Sequence, residues 1–207
     1  MKSVSSVHTA SVHTESQNGC LFIVSAPSGA GKSTLCKAAL SRFPDLLYSI
    51  SHTTRKQRDG EKNGVDYYFV SAEEFKRGIE SGQWLEWARV HDNYYGTSAD
   101  FIKKNLARGR SILLDIDVAG ARQILSRLSD CITIFIMPPS LAVLKERLEA
   151  RKTDSPETIA TRLKNAEAEI AQKEMYQHII VNDCLPEAIA RLAAIIESCK
   201  STGASHK

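Results

Sequence analysis

Cysteine is scarce. Five residues (Cys20, Cys36, Cys131, Cys184, Cys199) are scattered through 207, odd in number and without the close spacing of a metal site. That pattern predicts reduced thiols in a cytoplasmic protein, with neither a disulfide nor a zinc centre. Long apolar runs are missing too. None approaches the roughly 20 residues needed to cross a bilayer, and residues 1–18 lack the apolar stretch of a signal peptide, so no membrane is expected as a partner. Nor does charge of one sign dominate. A formal net charge of +3 is too small to call for nucleic acid. Residues 1–18 are rich in Ser, Thr, His and Val, with SVHT at 6–9 and again at 11–14. Such a segment buries little apolar surface and reads as a disordered tail, as does 201–207. His8 and His13 are accordingly read as solvated rather than as metal ligands.

What the chain does contain is concentrated near its start. Residues 26–34 read APSGAGKST, preceded by the apolar run Cys20–Val24 and followed by a helical pattern from Leu35. Strand, glycine loop and helix form the context of a phosphate-binding loop, in which backbone N–H groups of Ala26, Pro27, Ser28, Gly29, Ala30, Gly31, Lys32, Ser33 and Thr34, proline excepted, surround phosphate oxygens. Lys32 would reach the terminal phosphates and the Ser33 hydroxyl would ligate Mg²⁺. The general pattern has glycine where this chain has Ala26. A nucleoside triphosphate is the expected ligand.

Beyond the loop, strands alternate with helical patterns. Strands are expected at 47–51, 65–70, 84–90, 111–116, 131–137 and 178–181. Helices are expected after Ser71, over 99–108 and 119–128, after Ser140, after Ser155-Pro156 and from about Pro186. This predicts one α/β domain, a parallel sheet with helices on both faces, carrying a smaller inserted β-rich lobe. Asp117–Gly120 matches DxxG, but no guanine-reading NKxD element accompanies it, so a GTPase switch is poorly supported. Arg55 and Arg58, three apart among hydroxyls, suit a phosphate, although a solvated basic loop has the same composition. Glu86, between Trp84 and Trp87 on a half-buried strand, needs a donor partner. A guanine ring offers N1–H and a 2-amino group. Arg147 and Arg151, one helical turn apart, make sense with an anion between them.

Together these residues resemble the guanylate kinase family. The likeness rests on SAPSGAGKST at 25–34, SHTTR at 51–55 with Arg58 and Gly60-Glu61, NYYGT at 93–97, LDID at 114–117, PPS at 138–140 and IVND at 180–183. It implies Mg²⁺-dependent phosphoryl transfer from ATP to GMP, and to dGMP. It also implies a core over 19–50 and 98–200 with a lid near 147–160, and a mixed GMP-binding lobe over 51–97. Carried over by position, it assigns Arg55, Arg58, Tyr67 and Tyr95 to the GMP phosphate, and Ser51, Glu86, Thr97 and Asp117 to the base or its surroundings. Asp115 and Ser33 fall to the metal, Asn182 and Asp183 to ATP, and Lys32, Arg147, Arg151 and Arg162 to the transferring group. Three positions depart from the family's habit: Gln57 for proline, Ala119 for glutamine and Lys152 for glycine. A catalytically inactive binding module of the same fold is the alternative. Oligomeric state stays open.

Overall fold

The structure is a computed structural model that describes residues 19–90, 92–152 and 154–202, the side chains of 200–202 excepted. His8, His13 and the expected tail over 1–18 lie outside the described residues. So does most of the second tail, although the last helix runs on to Thr202.

The central strand β1 (Leu21–Ser25) is buried along its whole length, as an all-apolar run must be when helices cover both faces of a parallel sheet. It lies between β7 (Ile112–Asp115) and β8 (Cys131–Met137), with Leu21 opposite both Ile112 and Cys131. Strands β2 (Leu47–Tyr48) and β9 (His178–Val181) complete a five-stranded sheet in the order β2-β7-β1-β8-β9, with all pairs parallel. Helices α1 (Lys32–Arg42) and α7 (Leu185–Thr202) bring Leu35, Ala39 and Leu192 onto Phe22, Val24 and Ile134. On the opposite face α3 (Ala99–Leu106) and α4 (Val118–Leu125) bring Ile102 and Ile124 onto Leu21, Ile23 and Phe135. Burying each such side chain stabilises by roughly 1.5–3 kcal/mol. Helices α5 (Leu141–Ala150) and α6 (Pro156–Ile170) share only a small core of Leu144, Leu148, Ile159 and Ala166. They are the more easily moved pair.

Helix starts follow the sequence. The Ser98, Ser140 and Ser155 hydroxyls and the Asp117 carboxylate each accept an N–H from the residue three further on, which satisfies a donor the helix cannot. Between α5 and α6, Lys152 takes φ +53°, the only positive φ outside glycine among the described residues. Lysine stands there in a conformation that glycine adopts without cost.

The segment between β2 and α3 forms a second sheet in the order β4-β3-β6-β5, built from β3 (His52–Thr53), β4 (Tyr68–Phe69), β5 (Trp84–Val90) and β6 (Asn93–Ser98). Helix α2 (Ala72–Glu80), capped by Ser71, packs against it through Phe75. Two expectations need correction here. The strand expected over 65–70 shrinks to Tyr68–Phe69 because the preceding residues turn, with the Asp66 carboxylate accepting the Lys62 N–H at 2.7 Å. Regular alternation in β5 also fails. Trp84 pairs with Ser98 but Glu86 with Thr97, so Leu85 is the extra residue of a bulge, and Trp84, Leu85 and Glu86 are buried in succession.

A third correction concerns sulfur. Cys20 and Cys199 form a disulfide with their Cα atoms 6.8 Å apart, against the expectation of none. They are far apart in sequence, yet the start of β1 and the last turns of α7 meet beside the same core. Cys36, Cys131 and Cys184 remain free thiols. No helix among the described residues is long and apolar enough to cross a membrane.

Candidate active site

The loop between β1 and α1 brings its backbone to a cavity of about 390 Å³, lined by Ala26, Pro27, Ser28, Gly29, Gly31, Lys32, Ser33 and Thr34 with Arg151 and Glu169 across from them. Ala30 turns instead into the core, fully buried. Gly31 caps α1 at φ +95°, and a Cβ there would collide with the Asn182 amide. That amide donates to the Ala30 carbonyl at 2.8 Å, while the Asn182 carbonyl accepts from Arg147 Nη2 at 2.9 Å. Asn182 is thus buried behind the loop, tying it to the end of β9 and to α5. Asp183, beside it, is exposed.

Arg162 Nη1 donates to Ser28 Oγ at 3.3 Å, and its other nitrogen lies 3.3 Å from Asp154 Oδ1. Of the lid arginines, Arg151 therefore lines the loop's cavity, Arg162 touches the loop, and Arg147 is occupied by a carbonyl. The i and i+4 spacing of Arg147 and Arg151 holds in the helix, but the two guanidinium groups have different neighbours.

A second cavity of about 500 Å³ opens on the other side of Lys32 and Ser33. Its walls come from both sheets. Ser51, Tyr67, Tyr95 and Glu86 come from the second sheet and its loops, and Asp115 and Asp117 from the end of β7 and the start of α4. Lys32, Ser33 and Asp117 line both cavities. Lys32 Nζ is paired with Asp115 Oδ1, so the loop's cation is neutralised where the two spaces meet.

At the far end Glu86 is only 6% exposed. The Thr97 hydroxyl donates to its Oε1 at 2.6 Å. Its Oε2 approaches Gly120 so closely that a Cβ at 120 would lie 2.9 Å from it. Only glycine leaves room there. Burial pushes the Glu86 carboxyl up to about 7, the Thr97 hydrogen bond opposes that rise, and the nearby Asp117 adds to it. Asp117 itself accepts the Gly120 N–H at 2.7 Å.

Arg55 and Arg58 are not among the cavity's walls. Both oxygens of Glu61 grip the Arg55 guanidinium, at 3.1 and 2.7 Å, and Glu61 also accepts the Arg58 backbone N–H at 2.9 Å. The Glu61 carboxyl is held below its ordinary value by these donors, Arg55 first. The Arg55 guanidinium carbon lies 5.4 Å from the centre of the Tyr67 ring, whose centroid is 6.0 Å from that of Tyr95 in a T-shaped pair. The motif containing Glu61 gives no sign of this grip. Tyr48, Asp66 and Glu169 also line the cavities, and no motif marks them. Burial and the neighbouring Asp117 raise the Glu169 carboxyl, and Lys32 opposes them. Only the fold brings these residues to the site, so spacing along the chain held no signal for them.

A divalent ion fits the junction by donor chemistry. Ser33 and Asp115 offer hard oxygen atoms, and among the described residues no group of three or more His, Cys, Asp or Glu side chains gathers as metal ligands. Those oxygen atoms are of the type that would suit Mg²⁺.

The chain is similar to known proteins along most of its length. The family model described as guanylate kinase matches residues 18–199. A guanylate kinase of Symbiobacterium thermophilum is 45% identical over 88% of this chain and 87% of its own length. One from a Shewanella species is 50% identical over 90% of this chain and 91% of its own. The crystal structure of guanylate kinase from Anaplasma phagocytophilum superposes with a TM-score of 0.71 at 34% identity, covering 88% of this chain and 86% of that one.

Proposed function

Since the chain belongs to the guanylate kinase family and is an ATP:GMP phosphotransferase, we propose that it carries the γ-phosphoryl group of ATP to GMP, or to dGMP, through the two cavities that meet at Lys32. One observation carries this reading: Lys32, Ser33 and Asp117 line both spaces. A donor phosphate on the loop and an acceptor phosphate in the larger cavity would meet there.

The acceptor needs no general base, because a phosphate monoester is largely ionised near neutral pH, with a second pKa of about 6. Positioning and charge neutralisation remain. Backbone N–H groups of 29–34 hold the donor's phosphates, and Lys32 exchanges Asp115 for a phosphate oxygen. Mg²⁺, when bound, would supply further charge neutralisation beside Ser33 and Asp115. Arg151 and Arg162 close over the transferring group as the lid, about 147–160, moves. Arg147 either joins them or holds Asn182 behind the loop, with Asp183 at the donor's edge. Within the lobe, 51–97, Tyr67 and Tyr95 face the acceptor phosphate, and Arg55 and Arg58 reach it as the lobe closes. Ser51, Thr97, Glu86 and Asp117 read the base. Guanine donates where adenine presents a lone pair, and a buried carboxylate left unpaired by the wrong base rejects it. A cytoplasmic setting, where GMP and ATP meet, goes with this reading.

The test is a coupled assay of ADP formation with ATP and Mg²⁺, run with GMP, dGMP, AMP and no acceptor, on the parent and on Lys32→Ala. Turnover should require GMP or dGMP, fall at least about 10³-fold in the variant, and stop with a chelator. GMP binding without turnover would move the chain to the inactive binding-module class.

A further inference from the structure

Strand β5 is an edge strand, paired with β6 on one side only. Its other side should present unpaired backbone groups. Over Trp84–Trp87 that side is instead met by side chains from α4 and the turn after it, in place of a neighbouring strand. The Gln123 amide accepts the Trp87 N–H at 3.2 Å and donates to the Trp87 carbonyl at 2.9 Å. Arg127 Nη1 donates to the Trp84 carbonyl at 3.0 Å and to the Leu85 carbonyl at 2.7 Å. These bonds bracket one residue, Glu86, on both sides.

The same helix continues the arrangement toward its start. Asp117 caps it, and Gly120, one turn later, lies against Glu86 Oε2. Gly120 lies three residues after the cap Asp117, Gln123 three further along α4, and Arg127 follows in the turn just beyond the helix's end. Along this segment stand, in order, an acidic wall of the acceptor cavity, the seat of the buried carboxylate, and two clamps on the strand that carries it. A bulged strand is where such support is most needed, since the extra Leu85 interrupts the regular ladder to β6.

We propose that Gln123 and Arg127 are positioning residues for base recognition, fixing the spacing between Glu86 and Asp117 so that both carboxylates meet one guanine ring. This rests on the reading of Glu86 as the guanine acceptor given above. It adds that the base-reading pair is set by a core helix, whatever the rest of the inserted sheet does.

A change at 123 should therefore act on the base and spare the donor. Gln123→Ala should raise the KM for GMP about tenfold, the worth of one or two lost hydrogen bonds. It should also narrow the preference for GMP over IMP, which lacks the 2-amino group. The KM for ATP and kcat should stay within about twofold. Arg127→Met, at an exposed side chain that leaves the core intact, should give a smaller shift of the same kind, with Arg127→Lys restoring much of it. In a Glu86→Gln background the Gln123→Ala effect should vanish, because there is no carboxylate left to place.

The arms separate the two claims. If Glu86→Gln leaves the preference for GMP over IMP intact, the guanine reading of Glu86 fails, and this inference with it. If Glu86→Gln collapses that preference while Gln123→Ala and Arg127→Met change neither it nor the KM for GMP, only the positioning role fails. A Gln123→Ala protein that loses kcat and both KM values together, with a lowered Tm, would show a merely structural clamp and overturn the proposal.

Discussion

The two ends of the joined cavity are built on different principles. The end proposed for the donor's phosphates comes from one uninterrupted stretch, 26–34, which lines its cavity and whose geometry is dictated locally by Gly29, Gly31 and the start of α1. The other end, which we read as the acceptor's, is assembled from Ser51, Tyr67, Glu86, Tyr95 and Asp117, drawn from two sheets and the start of α4, with Glu86 and Asp117 proposed for the base. Phosphate offers the same charged oxygens in every nucleotide, and a generic loop is enough for it. A base is distinguished by where its donors lie, which needs carboxylates held at fixed separations. Only tertiary structure provides that.

If the two ends are independent, damage to one should spare the other. Gly31→Ala places a side chain at φ +95° and against the Asn182 amide. It should lower kcat/KM for ATP at least about 100-fold, by displacing the loop's N–H groups, and leave the calorimetric Kd for GMP within about twofold. A matching loss of GMP affinity would break the comparison.

Acid should discriminate in the opposite sense. The buried Glu86 carboxyl, pushed up to about 7, is protonated more readily than an ordinary carboxyl, and guanine's N1–H and amino group need its ionised form. The KM for GMP should therefore rise as pH falls through about 7, by about tenfold between pH 8 and pH 6, while the KM for ATP changes little. Glu86→Gln should abolish this dependence, which separates it from titration of the substrate phosphate. The same shift carries a cost in stability. A carboxyl whose folded pKa exceeds its unfolded value loses stability as pH rises from the ordinary carboxylate range to about 7. Glu86→Gln should consequently be the more heat-stable protein at pH 8, with the advantage gone near pH 4.

The smallest effect belongs to neither end. Lys152→Gly relieves a left-handed lysine at the price of a more flexible unfolded chain. The net gain should be about 0.5 kcal/mol, or roughly 1–2 °C in Tm, read by calorimetry. A fall in Tm would show that the turn between α5 and α6 depends on the lysine side chain.

How far these features were legible follows the same division. The phosphate loop, the Ser71, Ser140 and Ser155 caps, and the apolar strands β1, β7 and β8 were readable because each depends on residues close in sequence. Glu86 was legible as a carboxylate on a half-buried strand, whereas Asp117 entered the site only through the resemblance to the family. The bulge at Leu85 was not legible, since two-to-one pairing is a property of β5 and β6 together. Nor was the Glu61 grip on Arg55, which decides what that arginine touches, or the reach of Gln123 and Arg127 to the backbone of β5. The Cys20–Cys199 bridge was hidden by the same kind of distance. In Lys152 the sequence carried the hint of a missing glycine, and the backbone shows where that matters.

The order of strands in the main sheet also governs how the chain must be assembled. Strand β1 is the first core element to leave the ribosome, yet its two neighbours begin at Ile112 and Cys131, after the whole of the second sheet. Contacts within 52–98 close short loops and form early, whereas β1 waits for partners from the second half of the chain. A nascent chain therefore has the residues of the second sheet in hand before the central strand of the first has either neighbour. Its exposed LFIVS segment is the part that most needs protection from other chains in the meantime.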